Sequence, residues 1–474
     1  MSMIAGHFSM RGVVETADAI RRGELRAVDV LEECLQTFEV ANPQINAFIM
    51  TRLDAARREA EDIDRRVGRG EDPGKLAGVP FGVKDIEDIA GLPTTQGSLL
   101  LKDAPPAVQD SVHVEKLRAA GAIAIGKTNI CEFGIDASTY NKLWGVTRNP
   151  WNLQLTPGGS SGGSSAAVAA GIVPFATATD ASGSTREPAS FTGLVGLKPS
   201  HGRIPRGDGF ANWATHGALT RSVADTARYL DAVAGPDDRD RQSLPASGVG
   251  YEQAIGVLDV SGLRAVWSMD LGYAIVEPEV ADIAHQAAQR LVAAAGLNLL
   301  ERDFRPVNAR DALGIIMIFK AREDMTLTGM LPSRQGDLGA QLQYWLEMGK
   351  GIGPADVAAS WITVRQLERD MALLFRDADL LLTPAVACAP YGADSMMPEV
   401  IDGRDASHSG PEPFGLLANI AWNPSISVPA GVTRGGLPVG LQITARRHRD
   451  DIALRLARIL EMDRPWSLPW QIKT

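Results

Sequence analysis

Residues 156–171 read TPGGSSGGSSAAVAAG and hold four serines and five glycines, with no histidine among them. An apolar stretch typical of a strand follows, VPFATATD at 173–180, and it leads into a second turn of small residues, ASGSTREP at 181–188. Glycine and serine are the ordinary residues of tight bends, so either turn alone indicates only a turn. Two such turns on either side of a buried strand can bring backbone N–H groups together around a substrate carbonyl.

Strand and helix patterns alternate outward from this block. A helical pattern, SVHVEKLRAAG at 111–121, separates two apolar runs, and further apolar runs return near the C-terminus. This alternation predicts α/β layers. The strand patterns are GVPFGVKD (78–85), AIAIG (122–126), ADLLLTPAV (378–386), SISVPAG (425–431) and VGLQIT (439–444).

These patterns favour one large α/β domain over residues 1–474, although length alone would suggest about three domains. Helical patterns before residue 70 predict a helical clasp at 1–70 around the outside of that domain. Residues 309–376 are mostly helical in pattern and rich in Met, Leu and Trp. We therefore predict a helical insertion at 309–376, near the substrate pocket.

Composition excludes several classes of partner. The formal net charge of −10 has the wrong sign for holding nucleic acid or an anionic membrane. The three cysteines, Cys34, Cys131 and Cys388, are far apart and form no CxxC pair, so neither a disulfide framework nor a zinc site is encoded and a cytoplasmic location is expected. No run of about eighteen apolar residues occurs, so we predict no membrane-spanning segment.

Two motif matches lack the context that their chemistry needs. GAIAIGKT at 121–128 matches the phosphate-binding loop, but its inner residues are themselves a strand pattern. GGSSG at 158–162 matches the nucleophile elbow, but a poor core strand precedes it and no histidine stands in a telling context. The sequence shows no HExxH and no paired histidines with carboxylates, so we predict no metal and no cofactor.

Chemistry without histidine needs another proton acceptor, and Lys84 is the candidate. It ends the apolar run GVPFGVK, where burial would lower its pKa from about 10.4 towards working pH. Asp85 is expected to point to the opposite face of the strand. The alternative is a lysine that reaches the surface beside Asp85 and has no catalytic role.

Several segments, in their order along the chain, resemble the amidase signature family, and the resemblance spans nearly the whole chain. It implies a serine hydrolase of carboxylic amides on a single α/β/α domain with a mixed central sheet. NPSISVPAG and GLPVGLQI resemble the C-terminal segments of that family. The other matching segments are GVPFGVKDIEDIAGLPTTQGS (78–98), GKTNICEFG (126–134), RNPWN (148–152), TPGGSSGGSSAAVAAG (156–171), TDASGSTREPASFTGLVGLKPSHGRI (179–204) and LTRSVADTARYLDAVAGPDDRD (219–240).

Carried over by motif, the resemblance implies that Ser184 is the nucleophile, that Ser160 is a bridging serine after a cis peptide bond, and that Lys84 is the base. Where the family usually has glycine, this chain has Ser182. If that position needs positive φ, serine costs about 1–2 kcal/mol there and the loop takes a different shape. The N–H groups of Ala181, Ser182, Gly183 and Ser184 are expected to bind the oxyanion. Gly158 and Gly159 are expected to contact the substrate. Asp180 and Arg186 are expected to support the loop without reacting.

Substrate choice is expected to depend on more variable walls. Cys131 and Phe133 fall where the family lines its pocket, residues 314–331 could close over it with methionines, and Trp213 could add an aromatic wall. The alternative is that these are core residues. We predict a bulky apolar or aromatic amide, anilide or carbamate as the small-molecule substrate.

Two other functions fit the same residues. One is the glutamine-hydrolysing component of a tRNA-dependent amidotransferase, although FANWATHGALTR at 210–221 differs from the FASSLDQIGP-like segment of that component. The other is an inactive binding scaffold, motivated by Ser182. For a stand-alone hydrolase we expect a monomer or homodimer without nucleic acid.

Overall fold

The computed structural model describes residues 11–207, 213–395 and 397–468. Its strands include the apolar runs that the sequence predicts, together with others that it does not, among them the six-residue strand at Thr215–Thr220. The strands are β1 (Phe48–Thr51), β2 (Pro80–Lys84), β3 (Ile123–Thr128), β4 (Tyr140–Asn141), β5 (Gly145–Val146), β6 (Phe175–Asp180), β7 (Val195–Lys198), β8 (Thr215–Thr220), β9 (Arg264–Trp267), β10 (Asn298–Leu299), β11 (Leu380–Pro384), β12 (Val400–Ile401), β13 (Arg404–Asp405), β14 (Ser425–Val432) and β15 (Pro438–Ala445).

Helices surround these strands. Several begin at a residue that caps their N-terminus; for example, the Ser111 and Ser222 side chains each accept a backbone N–H of the helix that follows. The helices are α1 (Val13–Arg21), α2 (Ala27–Ile45), α3 (Leu53–Gly68), α4 (Val112–Ala119), α5 (Gly162–Ala169), α6 (Arg186–Thr192), α7 (Val223–Val233), α8 (Tyr251–Val257), α9 (Pro278–Ala295), α10 (Arg310–Leu327), α11 (Ala340–Met348), α12 (Pro354–Asp377), α13 (Gly415–Ile420) and α14 (Asp450–Asp463).

In the part of the chain that the structure describes, eleven strands form one sheet in the order β1-β3-β2-β6-β8-β7-β14-β15-β11-β9-β10. The trio β3, β2 and β6 is parallel, and so is the trio β11, β9 and β10. The strands between these trios pair antiparallel, as does β1 with β3. This mixed sheet with helices around it confirms the predicted fold class.

The order of strands places the candidate site. Because β2 and β6 are parallel neighbours, with Phe81 opposite Phe175, their carboxyl ends lie at the same edge of the sheet. Lys84 is the last residue of β2 and Asp180 is the last residue of β6. A buried lysine and the loop after β6 therefore meet, although about a hundred residues separate them in the chain.

Helix α5, formed by the serine and glycine block, is buried along its whole length. Its alanines pack with Ala176 and Ala178 of β6 in one apolar cluster. Small residues are needed here, because a Cβ on Gly163 would lie 2.3 Å from Asn129 N. The stretch that resembles a linker in composition is a core helix because only small side chains allow so close an approach.

The N-terminal helices pack on one end of the sheet, and β1 joins its edge. The clasp predicted for 1–70 therefore holds a strand as well as helices, and residues 1–10 of that prediction lie outside the described residues. The segment 309–376 contains α10, α11 and α12, with α10 packed on α12. Among the helices of the described ranges, none is long and apolar enough to cross a membrane.

Gly126→Ala tests the close contact between the edge strand β1 and β3. An added Cβ would lie 2.1 Å from Met50 O, so the backbone of β1 must move. We expect the free energy of unfolding to fall by about 1–3 kcal/mol, measured by urea unfolding. The matched control is Gly256→Ala in α8, where no atom lies within 4 Å of the new Cβ. It should raise stability by about 0.5–1 kcal/mol, and equal effects of the two variants would contradict the packing argument.

Candidate active site

Lys84 is fully buried, and hydroxyl groups surround its amine. Its Nζ lies 2.7 Å from Ser160 Oγ, 2.8 Å from Ser161 Oγ and 2.8 Å from Thr179 Oγ1. The Thr179 carbonyl lies 3.5 Å away. The structure therefore joins Lys84 to Ser160, as the resemblance implies, and excludes the surface-lysine interpretation.

The pairing of β2 with β6 explains these contacts. Lys84 N donates to Thr177 Oγ1 at 3.0 Å, and the hydroxyl of Thr179, two residues further along β6, faces the same way and meets Lys84 Nζ. Ser161, immediately before α5, completes the set. Sequence reasoning missed both Ser161 and Thr179, since a serine and a threonine beside expected catalytic residues carry no signal of their own.

Burial lowers the pKa of Lys84 from its usual value to about 8. No carboxylate hydrogen bonds to the amine in the described ranges. Asp85 points to the other side of β2, where it accepts a hydrogen bond from Lys127 Nζ at 3.3 Å and another from the Thr95 hydroxyl. The neutral amine is therefore available close to neutral pH.

Two glycines shape the turn that carries Ser160. Gly158 has φ 86°, and the peptide bond from Gly159 to Ser160 is cis. A Cβ on Gly159 would lie 2.6 Å from Asp136 O, so the backbone passes too close for any other residue. The Gly158 carbonyl accepts a hydrogen bond from Thr139 Oγ1 at 2.8 Å, which fixes the turn from outside.

Asp180 and Arg186 hold the loop that carries Ser184. The Asp180 carboxylate accepts from Gly183 N at 2.9 Å and from Arg186 Nε at 2.9 Å. Arg186 is buried, and it also donates to Gln442 Oε1 and Asn419 Oδ1. Although burial opposes the charged form, the guanidinium of Arg186 keeps the pKa of Asp180 below its ordinary value.

Positive φ in this loop falls at Gly183, at 140°, and not at Ser182. The backbone at Ser182 is therefore not left-handed, so serine in place of the glycine usual in the family pattern causes no backbone strain there. The N–H of Gly183 already donates to Asp180. The N–H groups of Ala181, Ser182 and Ser184 have no acceptor among the described residues, so these three can hold a substrate oxygen.

A cavity of about 730 Å³ opens over both serines. Ser160, Ser184 and Ala181 lie on one wall, and α10 with the turn after it forms another. Apolar residues cover much of that second side: Phe133, Ile135, Met317, Ala321, Met325 and Met330.

Two expected pocket residues lie elsewhere. Cys131 does not line the cavity, because its sulfur is turned to the backbone N and O of Asp136 at 3.1 Å. Burial raises the pKa of this thiol. Trp213 lines a separate surface groove with Trp361 and Trp422, and residues 208–212 beside it lie outside the described residues.

Two buried carboxyl groups, Glu187 and Glu412, lie behind the Ser184 loop. A Cβ on Gly183 would lie 2.9 Å from Glu412 Oε2. Burial raises the pKa of both groups, and their mutual repulsion adds to this for Glu187. At least one of them therefore carries a proton near neutral pH, so the loop that would hold an oxyanion does not face two negative charges.

The structure also brings together three residues that sequence reasoning left apart. Glu87 Oε2 lies 2.8 Å from His113 Nδ1 and 3.3 Å from His216 Nδ1. Glu87 and His216 line the cavity. The sequence shows no paired histidines with a carboxylate, because β8 and α4 bring histidines that are distant in the chain to the end of β2.

Comparison with known proteins agrees with this architecture. The family model described as Amidase matches residues 29–454. The chain belongs to the amidase signature family. An acylamidase of Rhodococcus erythropolis is 36% identical over 459 residues, covering 96% of this chain and 95% of that protein. One component of the glutamyl-tRNA(Gln) amidotransferase of Synechococcus sp. strain RCC307 is 33% identical over 474 residues, covering 94% and 96%.

Solved structures of the family superpose closely on this chain. A bacterial aryl acylamidase of the amidase signature family matches with a TM-score of 0.90 at 29% identity, over 98% of this chain and 99% of that one. A 6-aminohexanoate cyclic dimer hydrolase in complex with substrate matches with a TM-score of 0.84 at 31% identity, over 96% and 97%. Family and relatives together indicate that this chain is an enzyme that hydrolyses amide C–N bonds.

Proposed function

We propose that the protein is a serine hydrolase in which Ser184 attacks the amide carbonyl, Ser160 relays protons and Lys84 is the base. The observation that carries the proposal is the 2.7 Å contact between the buried Lys84 Nζ and Ser160 Oγ, on the wall of a cavity that Ser184 also lines. A base in this mechanism must be uncharged when substrate arrives.

The contacts of Lys84 match the hydrogen-bonding capacity of a neutral amine. Its two N–H groups donate to Ser161 Oγ and Thr179 Oγ1, both at 2.8 Å. Ser161 Oγ in turn donates a hydrogen bond to the Thr179 carbonyl at 3.3 Å. When the amine is neutral, its lone pair accepts the hydrogen of Ser160 Oγ across the 2.7 Å contact, which is the direction that deprotonation of a serine requires.

The reaction proceeds in two halves. Lys84 takes the proton of Ser160, which takes the proton of Ser184 as its Oγ bonds to the carbonyl carbon. The N–H groups of Ala181, Ser182 and Ser184 stabilise the oxyanion. Ser160 returns a proton to the nitrogen as the C–N bond breaks, leaving an acyl-enzyme on Ser184. Water, activated in the same way, then releases the acid.

Apolar or aromatic amides, anilides or carbamates fit the cavity best. Its outer walls are lined by Phe133, Met317, Met325 and Met330, which offer apolar and adaptable contacts. The names of two similar proteins, an acylamidase and an aryl acylamidase, support the same class.

A second candidate is glutamine hydrolysis as one component of a tRNA-dependent amidotransferase. The observation that favours it is the 33% identity to such a component over nearly the whole of both chains. Opposing it, the cavity wall formed by α10 and the turn after it is largely apolar, whereas the glutamine side chain and its charged backbone are polar.

Covalent labelling tests the role of Ser184. A fluorophosphonate should add one phosphonyl group to the intact chain, detected by mass, and Ser184→Ala should take up none. Lys84→Ala and Ser160→Ala should fold normally but slow labelling and turnover by about a thousandfold or more. Ser247→Ala, an exposed serine, is the control and should label at the normal rate. Full activity of Ser184→Ala, or loss of activity in EDTA, would contradict the mechanism, which uses no metal.

The pH dependence of kcat/KM tests the protonation state of Lys84. Because the active form is the neutral amine and its pKa is about 8, activity should reach a plateau above that pH and fall about tenfold per unit below it. The rate of fluorophosphonate labelling should follow the same curve, since it reports the nucleophile without the leaving group. Circular dichroism at each pH separates this titration from unfolding. A rate that stays flat from pH 6 to 9 would exclude Lys84 as the base.

A substrate panel separates the two candidate functions. The purified chain is incubated separately with an anilide, an aliphatic primary amide, an aryl carbamate and glutamine. The mass of the acyl-enzyme is then measured by intact-protein mass spectrometry. We expect kcat/KM for the anilide to exceed that for glutamine by tenfold or more. The increase in mass over the free enzyme should identify the acyl group that is attached. Preference for glutamine, or activity only with co-purified proteins, would favour the amidotransferase instead.

A further inference from the structure

We propose that Glu87, His113 and His216 form a binding site for a divalent transition-metal ion, such as Zn²⁺, in the wall of the cavity. All three side chains are buried, and one potential ligand atom from each lies within 4.8 Å of the others. Two imidazole nitrogens and a carboxylate are a ligand set that Zn²⁺ uses with a fourth position left open.

The spacing of the ligand atoms fits such an ion. Glu87 Oε2 lies 2.8 Å from His113 Nδ1 and 3.3 Å from His216 Nδ1. Ligands at about 2.0–2.1 Å from a tetrahedral metal lie about 3.3 Å from one another. The third pair, formed by the ligand nitrogens of the two histidines, lies within 4.8 Å. Seating an ion therefore requires the Glu87–His113 contact to open and the three ligand atoms to settle at about equal spacing.

His216 supplies the independent observation. Its Nδ1 is buried and has no hydrogen-bond partner in the described part of the chain, although Glu87 Oε2 is 3.3 Å away. The two atoms are close but are not aligned as donor and acceptor. An unpaired buried nitrogen is costly, whereas a shared metal ion needs its lone pair directed between the ligands rather than at one of them.

The residues behind the cluster support ligation. His113 Nε2 lies 2.7 Å from the hydroxyl of the buried Tyr229. A hydroxyl on the far nitrogen holds the ring in place and, by accepting the Nε2 hydrogen, leaves the Nδ1 lone pair facing the site. The His113 and His216 rings lie 4.8 Å apart, tilted by 32°, so both can face one ion.

Nearby charges do not oppose a cation strongly. Three cationic side chains lie nearby. Lys127 Nζ is 3.3 Å from Asp85 Oδ1, and Arg206, which interacts with Glu87 and His216, also has Asp240 beside it. Burial lowers the pKa of the third, Lys84, to about 8. Asp88 lines the same part of the cavity. Because Glu87 and His216 border the cavity, an ion can enter from solvent and keep a water as its fourth ligand. The hydrolysis proposed above does not require it.

Titration with Co²⁺ tests the site directly. The full chain, without a polyhistidine tag and stripped with EDTA, should bind one Co²⁺ per chain, with visible absorption bands of a four-coordinate N and O site. A thiolate charge-transfer band would be absent, since no cysteine takes part. Zn²⁺ should displace Co²⁺ and raise the unfolding midpoint. Absence of stoichiometric uptake by the folded chain would overturn the proposal.

Variants locate the ion. His216→Ala and Glu87→Gln should each weaken Co²⁺ affinity by about a hundredfold or more, and Tyr229→Phe by about tenfold through the ring of His113. His408→Ala, an exposed histidine paired with Asp311, is the control and should bind normally. Circular dichroism confirms that each variant is folded, and Glu87→Gln preserves shape if His216→Ala does not fold. Unchanged affinity in both ligand variants would place the ion elsewhere and overturn the assignment.

Discussion

A lysine amine buried among hydroxyl groups is the constraint on which the candidate site depends. An unpaired ammonium is costly to bury, so such a group is either matched by a carboxylate or neutral. Here the adjacent carboxylate, Asp85, faces Lys127, and Lys84 is left with Ser160, Ser161 and Thr179. Burial thus lowers the pKa of an ordinarily charged side chain to about 8, which gives the base of the proposed mechanism a neutral form without any histidine. Because successive side chains along a strand point to opposite sides, Asp85 faces away from Lys84 and pairs with Lys127 on the other side of β2.

The sheet topology supplies that arrangement. Parallel pairing of β2 with β6 brings Lys84 beside Thr179, and the turn after β6 carries Ser184 over the same edge. Antiparallel β8 then places His216 opposite Thr179, on the same face of the sheet. Each functional side chain therefore stands at the end of a core strand or directly beside one. Backbone positions fixed by sheet hydrogen bonds and by the Asp180–Arg186 pair leave the site little freedom to relax.

Much of the fold and part of the candidate site could be predicted from local sequence patterns. Apolar runs predicted the central strands, and the end of one such run predicted that Lys84 is buried. The contacts that escaped prediction are those created only when strands and helices distant in the chain pack together. His113 lies within an apolar helical pattern, and His216 belongs to a different strand, so nothing local relates either of them to Glu87. Cys131 was predicted to line the pocket and does not, for a local reason. The backbone is left-handed at Phe133 and Gly134, Phe133 lines the cavity, and the Cys131 sulfur is turned to the backbone of Asp136.

The two sides of the cavity belong to different parts of the core, and this separates chemistry from substrate choice. Lys84 ends a strand of the central sheet, and Ser160 and Ser184 lie on the turn before α5 and the loop after β6, which meet it at the edge of that sheet. The facing wall comes from α10 and the turn after it, where Met325 and Met330 pack with Phe133, Leu338 and Leu342 in a small cluster of their own. Substitutions in that cluster change the shape of the cavity without moving β2 or β6. In a fold built in this way, the contacts around Lys84 are held by the sheet, while the shape of the facing wall depends on the packing of a separate helical cluster.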